Sequence, residues 1–133
     1  MFFPIGDVNL QRGVKPFLTY LIIAVNVGIF LKQVSFSPGE QVAFIRQYGT
    51  IPVEIMSGHS LQTLLTGIFL HGGWMHLGIN MLTLAAFGAP VERLLGVRRF
   101  VLFYLLCGVV AGLVHILVYP DSIDPVVGAS GSI

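Results

Sequence analysis

Charge is scarce in this chain. Its 133 residues include 7 Lys and Arg and 6 Asp and Glu, so 10% of the side chains are charged. Soluble domains carry about 25% charged residues, and so few charges cannot cover a water-facing surface. The two signs nearly cancel, at net +1, and no basic patch speaks for nucleic acid as a partner. Cysteine is almost missing as well. The single Cys107 excludes an intrachain disulfide and offers no metal cluster; within its apolar run it reads as a small packing side chain. A secretory signal peptide is also lacking. Positions 1–16 contain Pro4, Asp7, Asn9 and Gln11, and the apolar run that follows has no small-x-small cleavage site. What remains is a chain that is 55% hydrophobic, which reads as an all-α, polytopic integral membrane protein embedded in a lipid bilayer.

The apolar runs divide the chain. A bilayer core takes about 20 residues of helix, and three stretches approach that length: about 17–34, broken only by a few polar residues such as Thr19 and Asn26, then 74–90, then 100–119, broken by His115. A fourth apolar segment begins near 128 and stops at Ile133. The expectation is a single membrane domain over 1–133, incomplete, with three full spans and the start of a fourth. Residues 35–73 form a long connection with too many apolar groups for a free tether, and it should pack at the membrane surface through short helices. Val91 to Arg99 reads as a turn, and so does Pro120 to Pro125. Arg12 and Lys15 precede the first span, and Arg93, Arg98 and Arg99 follow the second. By the bias of Lys and Arg toward the cytoplasm, both places and the N-terminus are cytoplasmic, while the 35–73 loop lies outside with His71, His76 and the region of Ser130.

Polar motifs are few, which makes them informative. His71-Gly72-Gly73-Trp74-Met75-His76 leads to Asn80, and Gly128-Ala129-Ser130-Gly131 stands near the end. Imidazole and carboxamide groups are costly inside a membrane and mark functional sites, although interhelical hydrogen bonding is their commoner use. His76 and Asn80, four apart, differ by about 40° around a helix and share a face, whereas an unbroken helix would put His71 about 140° away. Gly72 and Gly73 should break the helix and leave His71 in the loop. A serine between glycines is open to close approach and is a candidate nucleophile; beside it, the free N–H groups of a helix start can donate to an oxyanion. Its bland alternative is a helix cap. Zinc fits poorly, because Gly72 stands where the helical metalloprotease signature needs glutamate and the histidines are five apart, not four; no metal or cofactor is expected. Gly108-Val109-Val110-Ala111-Gly112 reads as a close-packing motif, His115 as interfacial, and Glu92 with Arg93 as a cap or ion pair.

Taken together, the motifs resemble those of the rhomboids, a family of intramembrane serine proteases. The resemblance rests on His71-x4-His76-x3-Asn80, then Gly88-x-x-Val91-Glu92 with Gly96, then Gly128-Ala129-Ser130-Gly131, in that order with one span between. It extends to Gly6-Asp7 and to the Tyr48–Pro52 stretch. It implies a helical bundle of six core helices and a Ser-His dyad. Ser130 matches the nucleophile, His76, Asn80 and the Ser130 N–H match the oxyanion stabilisers, and His71 matches a histidine that supports the site. The substrates implied are transmembrane proteins, cut near the membrane surface. A bacterial inner (plasma) membrane location is expected, and nothing in the sequence fixes an oligomeric state.

The resemblance also places the general base on the last core helix, and none of His59, His71, His76 and His115 matches it. The 133 residues alone are therefore expected to be inactive, and an ending at Ile133, at apolar depth, reads as that of a fragment. A non-catalytic rhomboid-like protein that binds client helices is the alternative function. A small structural or transport subunit, whose polar residues only join helices, is a third.

Overall fold

The computed structural model describes residues 15–133; Arg12 and the Gly6-Asp7 pair lie outside the described residues. The architecture is all-α: α1 (Phe17–Val34), α2 (Pro38–Tyr48), α3 (Pro52–Met56), α4 (Thr63–Thr66), a 3-10 turn (Gly67–Phe69), α5 (Trp74–Thr83), α6 (Ala89–Leu95), α7 (Val97–Val118) and a final 3-10 turn (Ala129–Gly131). Two of these, α1 and α7, are long and apolar enough to cross a membrane. At 1.5 Å per residue, the 22 residues of α7 reach about 33 Å.

The stretch 74–90, expected as one span, is helical without a break but not uniform. Between α5 and α6, Leu84–Gly88 winds as a π-helix. Pro90 explains the wider turn: it has no N–H to give, and its ring crowds the carbonyl one turn earlier. The same region touches α1 closely. A Cβ on Gly88 would stand 3.1 Å from Thr19 Cγ2 and 2.8 Å from Leu84 Cδ1.

The turn expected over Val91–Arg99 is not one. Helix continues to Leu95, breaks at Gly96 with φ 77° and ψ 160°, and resumes at Val97. The polar character that suggested a loop belongs to a buried cap. Glu92 is 0% exposed. Its Oε1 accepts the Leu18 N–H at 2.9 Å, and its Oε2 accepts the Thr19 N–H and the Thr19 hydroxyl, each at 2.7 Å. Those two amides belong to the first turn of α1, where backbone donors have no helical partner and a negative charge is favoured.

One stripe of α7 faces inward. Phe100, Tyr104, Gly108 and Ile116 are buried, spaced by multiples of four, while Leu102, Leu106, Leu113 and Leu117 are exposed. Leucines on the outer face suit a lipid environment as they would not suit water. The inward stripe joins a core of Ile22, Phe30, Ile68, Leu77, Met81, Leu84 and Ala129.

The 35–73 connection is largely helical. Ser37 starts α2, and the Glu40 carboxylate accepts both its N–H at 2.9 Å and its hydroxyl at 2.7 Å, a reciprocal cap written in the sequence as Ser-x-x-Glu. These bonds hold the Glu40 carboxyl below its ordinary pKa. After α2, Thr50 and Val126 form an isolated antiparallel bridge with N–H···O distances of 3.1 and 2.8 Å. The Val53 N–H reaches the Ser122 carbonyl at 3.1 Å. The connection is thereby fastened to the segment that leads to Ser130.

Candidate functional site

Gly72 and Gly73 end the preceding turn, and α5 starts at Trp74. His71 thus stays in the loop while His76 occupies the first turn of the helix, as the two glycines suggested. His71 is completely buried. Its carbonyl accepts the Gln33 side-chain N–H at 2.7 Å, and its ring stands edge-on to His76 with centroids 5.2 Å apart. Neither ring nitrogen has a formed hydrogen bond. Burial, reinforced by the adjacent His76 and opposed by the Phe69 carbonyl, pushes the His71 pKa down to about 4. The ring is neutral at physiological pH.

His76 is oriented by its own loop. The Gly72 N–H donates to His76 Nδ1 at 3.3 Å. A neutral imidazole that accepts at Nδ1 carries its proton on Nε2. That nitrogen points at Gly128: a Cβ built there would be 2.7 Å from both Nε2 and Cε1 of His76, and 3.7 Å from Asn80 Nδ2. Gly128 has φ 122°, a conformation that side chains strongly disfavour. Glycine here serves both the backbone angle and the contact with the imidazole.

Asn80 lies one turn along α5 on the same face. It is 5% exposed, and its Nδ2 has no hydrogen-bond partner. Ser130, in the final 3-10 turn, is exposed. Asn80 and Ser130 line one open groove with Ile79, Thr83, Phe87 and Ile133. A second, smaller depression of about 170 Å³ has Ser130, Gly108, Gly112 and His115 among its walls. His71, His76, Asn80, Gly128 and Ser130 thus form one neighbourhood built from α5, its leading loop and the last turn. Among the described residues no three His, Cys, Asp or Glu side chains gather as a metal site would require.

Two contributors were not apparent in the sequence. The Gly128 N–H is held by the Gly67 carbonyl at 2.9 Å. A Cβ on Gly67 would press on Thr50 Oγ1 at 2.8 Å and the Val126 carbonyl at 3.2 Å. Gly67 and Thr50 therefore set the position of the strand-like segment before Ser130. Their only local signal is a glycine inside an apolar run, which marks close backbone approach.

Residues 58–133 match the Rhomboid domain. The chain is 33% identical over 123 residues to rhomboid protease GluP of Bacillus subtilis (strain 168), covering 92% of this chain and 24% of that one. It is 44% identical over 69 residues to rhomboid-related protein 3 of Homo sapiens, 52% of this chain and 17% of that protein. With RHOMBOID-like protein 5 of Arabidopsis thaliana it shares 29% over 110 residues, 77% of this chain and 36% of the relative. The chain therefore spans about a third or less of the length of these relatives. No solved structure matches it. The domain match runs through more than half of the chain and includes the histidine, asparagine and serine motifs, so this integral membrane protein belongs to the rhomboid family.

Proposed function

We propose that this neighbourhood is the nucleophile and oxyanion half of a serine endopeptidase that cleaves transmembrane proteins within the bilayer. One observation carries the reading: Asn80 Nδ2 is buried without a hydrogen-bond partner, on a residue that lines the same groove as Ser130. An unpaired buried donor costs about 1–3 kcal/mol, and such a group calls for an explanation. A donor awaiting a developing negative charge supplies one.

The chemistry is acyl transfer. Ser130 Oγ attacks the scissile carbonyl carbon as its proton passes to a base, and the carbonyl oxygen becomes an oxyanion. Asn80 Nδ2, His76 Nε2–H and the Ser130 N–H donate to that oxygen. His71 supports His76 from behind. The base, on the family resemblance, is a histidine of the last core helix, which none of the four histidines here matches, so these 133 residues alone should be inactive. No metal or cofactor enters the scheme.

The spans proposed are about 17–34, 74–90 and 100–119. Glu92 draws the start of α1 to the α6–α7 turn, so Lys15, Arg93, Arg98 and Arg99 gather at one end, which supports a cytoplasmic N-terminus. A bacterial inner membrane is the proposed location.

The test uses the full gene product in liposomes with a helical transmembrane substrate. Cleavage that stops in Ser130→Ala is the expected result. Undiminished cleavage by Ser130→Ala would refute the assignment. No cleavage by the parent protein, with the substrate still bound, would favour a non-catalytic client-binding protein.

A further inference from the structure

Two residues past Ser130 the chain buries a second serine. Ser132 is 7% exposed, Tyr104 of α7 is 1% exposed and Asn26 of α1 is 0% exposed. Tyr104 and Ser132 line one small cavity and Asn26 also neighbours the Tyr104 hydroxyl, yet Asn26 Oδ1, Tyr104 OH and Ser132 Oγ each lack a formed hydrogen bond. Gly108 makes room for the approach, since a Cβ there would overlap Ser132 Oγ. Three orphaned polar atoms in a dry core are expensive, and a small shift of the Tyr104 and Ser132 side chains would pair all of them.

The direction of the bonds follows from what each group can do. One Asn26 Nδ2–H donates to the Ile22 carbonyl at 2.8 Å, and the orphaned atom, Oδ1, can only accept. A phenol has one proton to give and lone pairs to receive. The order is Ser132 Oγ–H to the Tyr104 oxygen, and Tyr104 O–H to Asn26 Oδ1.

We infer that Asn26, Tyr104 and Ser132 form a positioning chain that aims Ser130 into its groove. The local geometry supports this. Ser130 is exposed, but Ala129 before it and Ser132 after it are buried. Ala129 is held by packing in the apolar core. The proposed bonds would hold Ser132 to Tyr104 of α7 and, through it, to Asn26 of α1. The turn is fixed on both sides, and its one outward side chain has a defined direction. Asn26, a polar exception in the first span, acquires a purpose it lacks as a lone helix residue.

The inference rests on Ser130 being the nucleophile, and the experiment separates the two. The full gene product in liposomes is assayed for kcat and KM on a helical substrate, and for the rate at which a fluorophosphonate labels Ser130. Tyr104→Phe removes one oxygen and keeps the packing; Ser132→Ala and the double variant complete a cycle. Tyr104→Phe and Ser132→Ala should each lower kcat and labelling about fivefold to tenfold, the effect of about 1 kcal/mol at the reaction barrier. KM should stay within about twofold, and the double variant should be no slower than the slower single one, because the residues act as a unit. Unchanged kcat and labelling in Tyr104→Phe, even with a lowered unfolding temperature, overturn the positioning role, as do losses that add. Failure of the parent protein to label at Ser130 overturns the nucleophile reading and this inference with it.

Discussion

Glu92 and Thr19 lie 73 residues apart and meet twice at 2.7 Å, backbone N–H and hydroxyl both donating to one carboxylate oxygen. With the Leu18 amide on the other oxygen, a single side chain of α6 completes the first turn of α1. The contact fixes the relative height of two helices, and through α5, continuous with α6, it fixes where His76 and Asn80 stand.

Removal of that carboxylate strands three donors. Glu92→Leu should therefore lower unfolding stability in detergent micelles by at least about 2 kcal/mol, while Thr19→Val, which removes one donor, should cost about 1 kcal/mol. Glu92→Gln should fall between them, because its amide keeps one acceptor oxygen and turns an N–H toward donors. A Glu92→Leu protein as stable as the parent would show that water replaces the cap.

Gly128 and Gly72 make a contrasting pair. Gly128→Ala meets the His76 ring at 2.7 Å and retains a φ of 122°, strain of order 1–3 kcal/mol that the site can relieve only by moving His76 or the turn. Cleavage by the full protein should fall about 100-fold or more, since small misplacements at reacting groups are costly. At Gly72 a Cβ would find its nearest neighbour, His76 Nδ1, at an ordinary 3.7 Å, and Gly72→Ala keeps the donating N–H. Its activity should remain within a few-fold of the parent. Equal losses in the two variants would contradict the account of Gly128.

What the sequence made legible was whatever depends on local order. The run 100–119 is apolar for 20 residues, and α7 follows it closely; the glycine pair at 72–73 broke the helix and separated His71 from His76. What stayed hidden depends on partners far along the chain. Glu92 reads as a cap or half of an ion pair, but nothing near it in sequence names the start of α1 as the helix it caps. The Thr50–Val126 bridge is made by main-chain atoms, so no side chain at either position announces it. Asn26 stood out in its apolar run, but nothing near it in sequence names Tyr104. That Ser130 would share a groove with Asn80 was not legible residue by residue, because the segment leading to it is held by the Gly67 carbonyl, far along the chain.

His71 should give folding stability an acid slope. Its folded pKa is about 4, against 6.5 ordinarily, so between those values the unfolded chain binds a proton that the folded chain refuses. Stability then rises with pH through that window and levels off above it, with a span on the order of 3 kcal/mol. Unfolding midpoints of the protein in micelles, followed from pH 7.5 to 4.5, should fall as the pH falls. His71→Leu, which cannot protonate, should flatten the contribution. The same slope in His71→Leu would assign it to other groups.

Asn80 and His76 should differ in how they fail. Both are proposed donors to one oxyanion, but Asn80 Nδ2 is buried without a partner, while His76 is oriented by the Gly72 N–H and also packs on Gly128 and His71. Loss of one oxyanion donor costs about 10²–10³ in rate in a well-studied serine protease; with other donors remaining, Asn80→Ala should lower kcat of the full protein by about 10–100-fold. KM should change little, because the ground-state carbonyl gains less from the donor than the oxyanion does. His76→Ala removes a donor and also a wall of the site, so kcat should fall further and the unfolding temperature should drop. Asn80→Ala should depart from that pattern in stability: removing an unsatisfied buried N–H donor should leave the unfolding temperature unchanged or raise it. A large loss of stability in Asn80→Ala with kcat unaltered would make Asn80 a packing residue and remove the main support for the oxyanion reading.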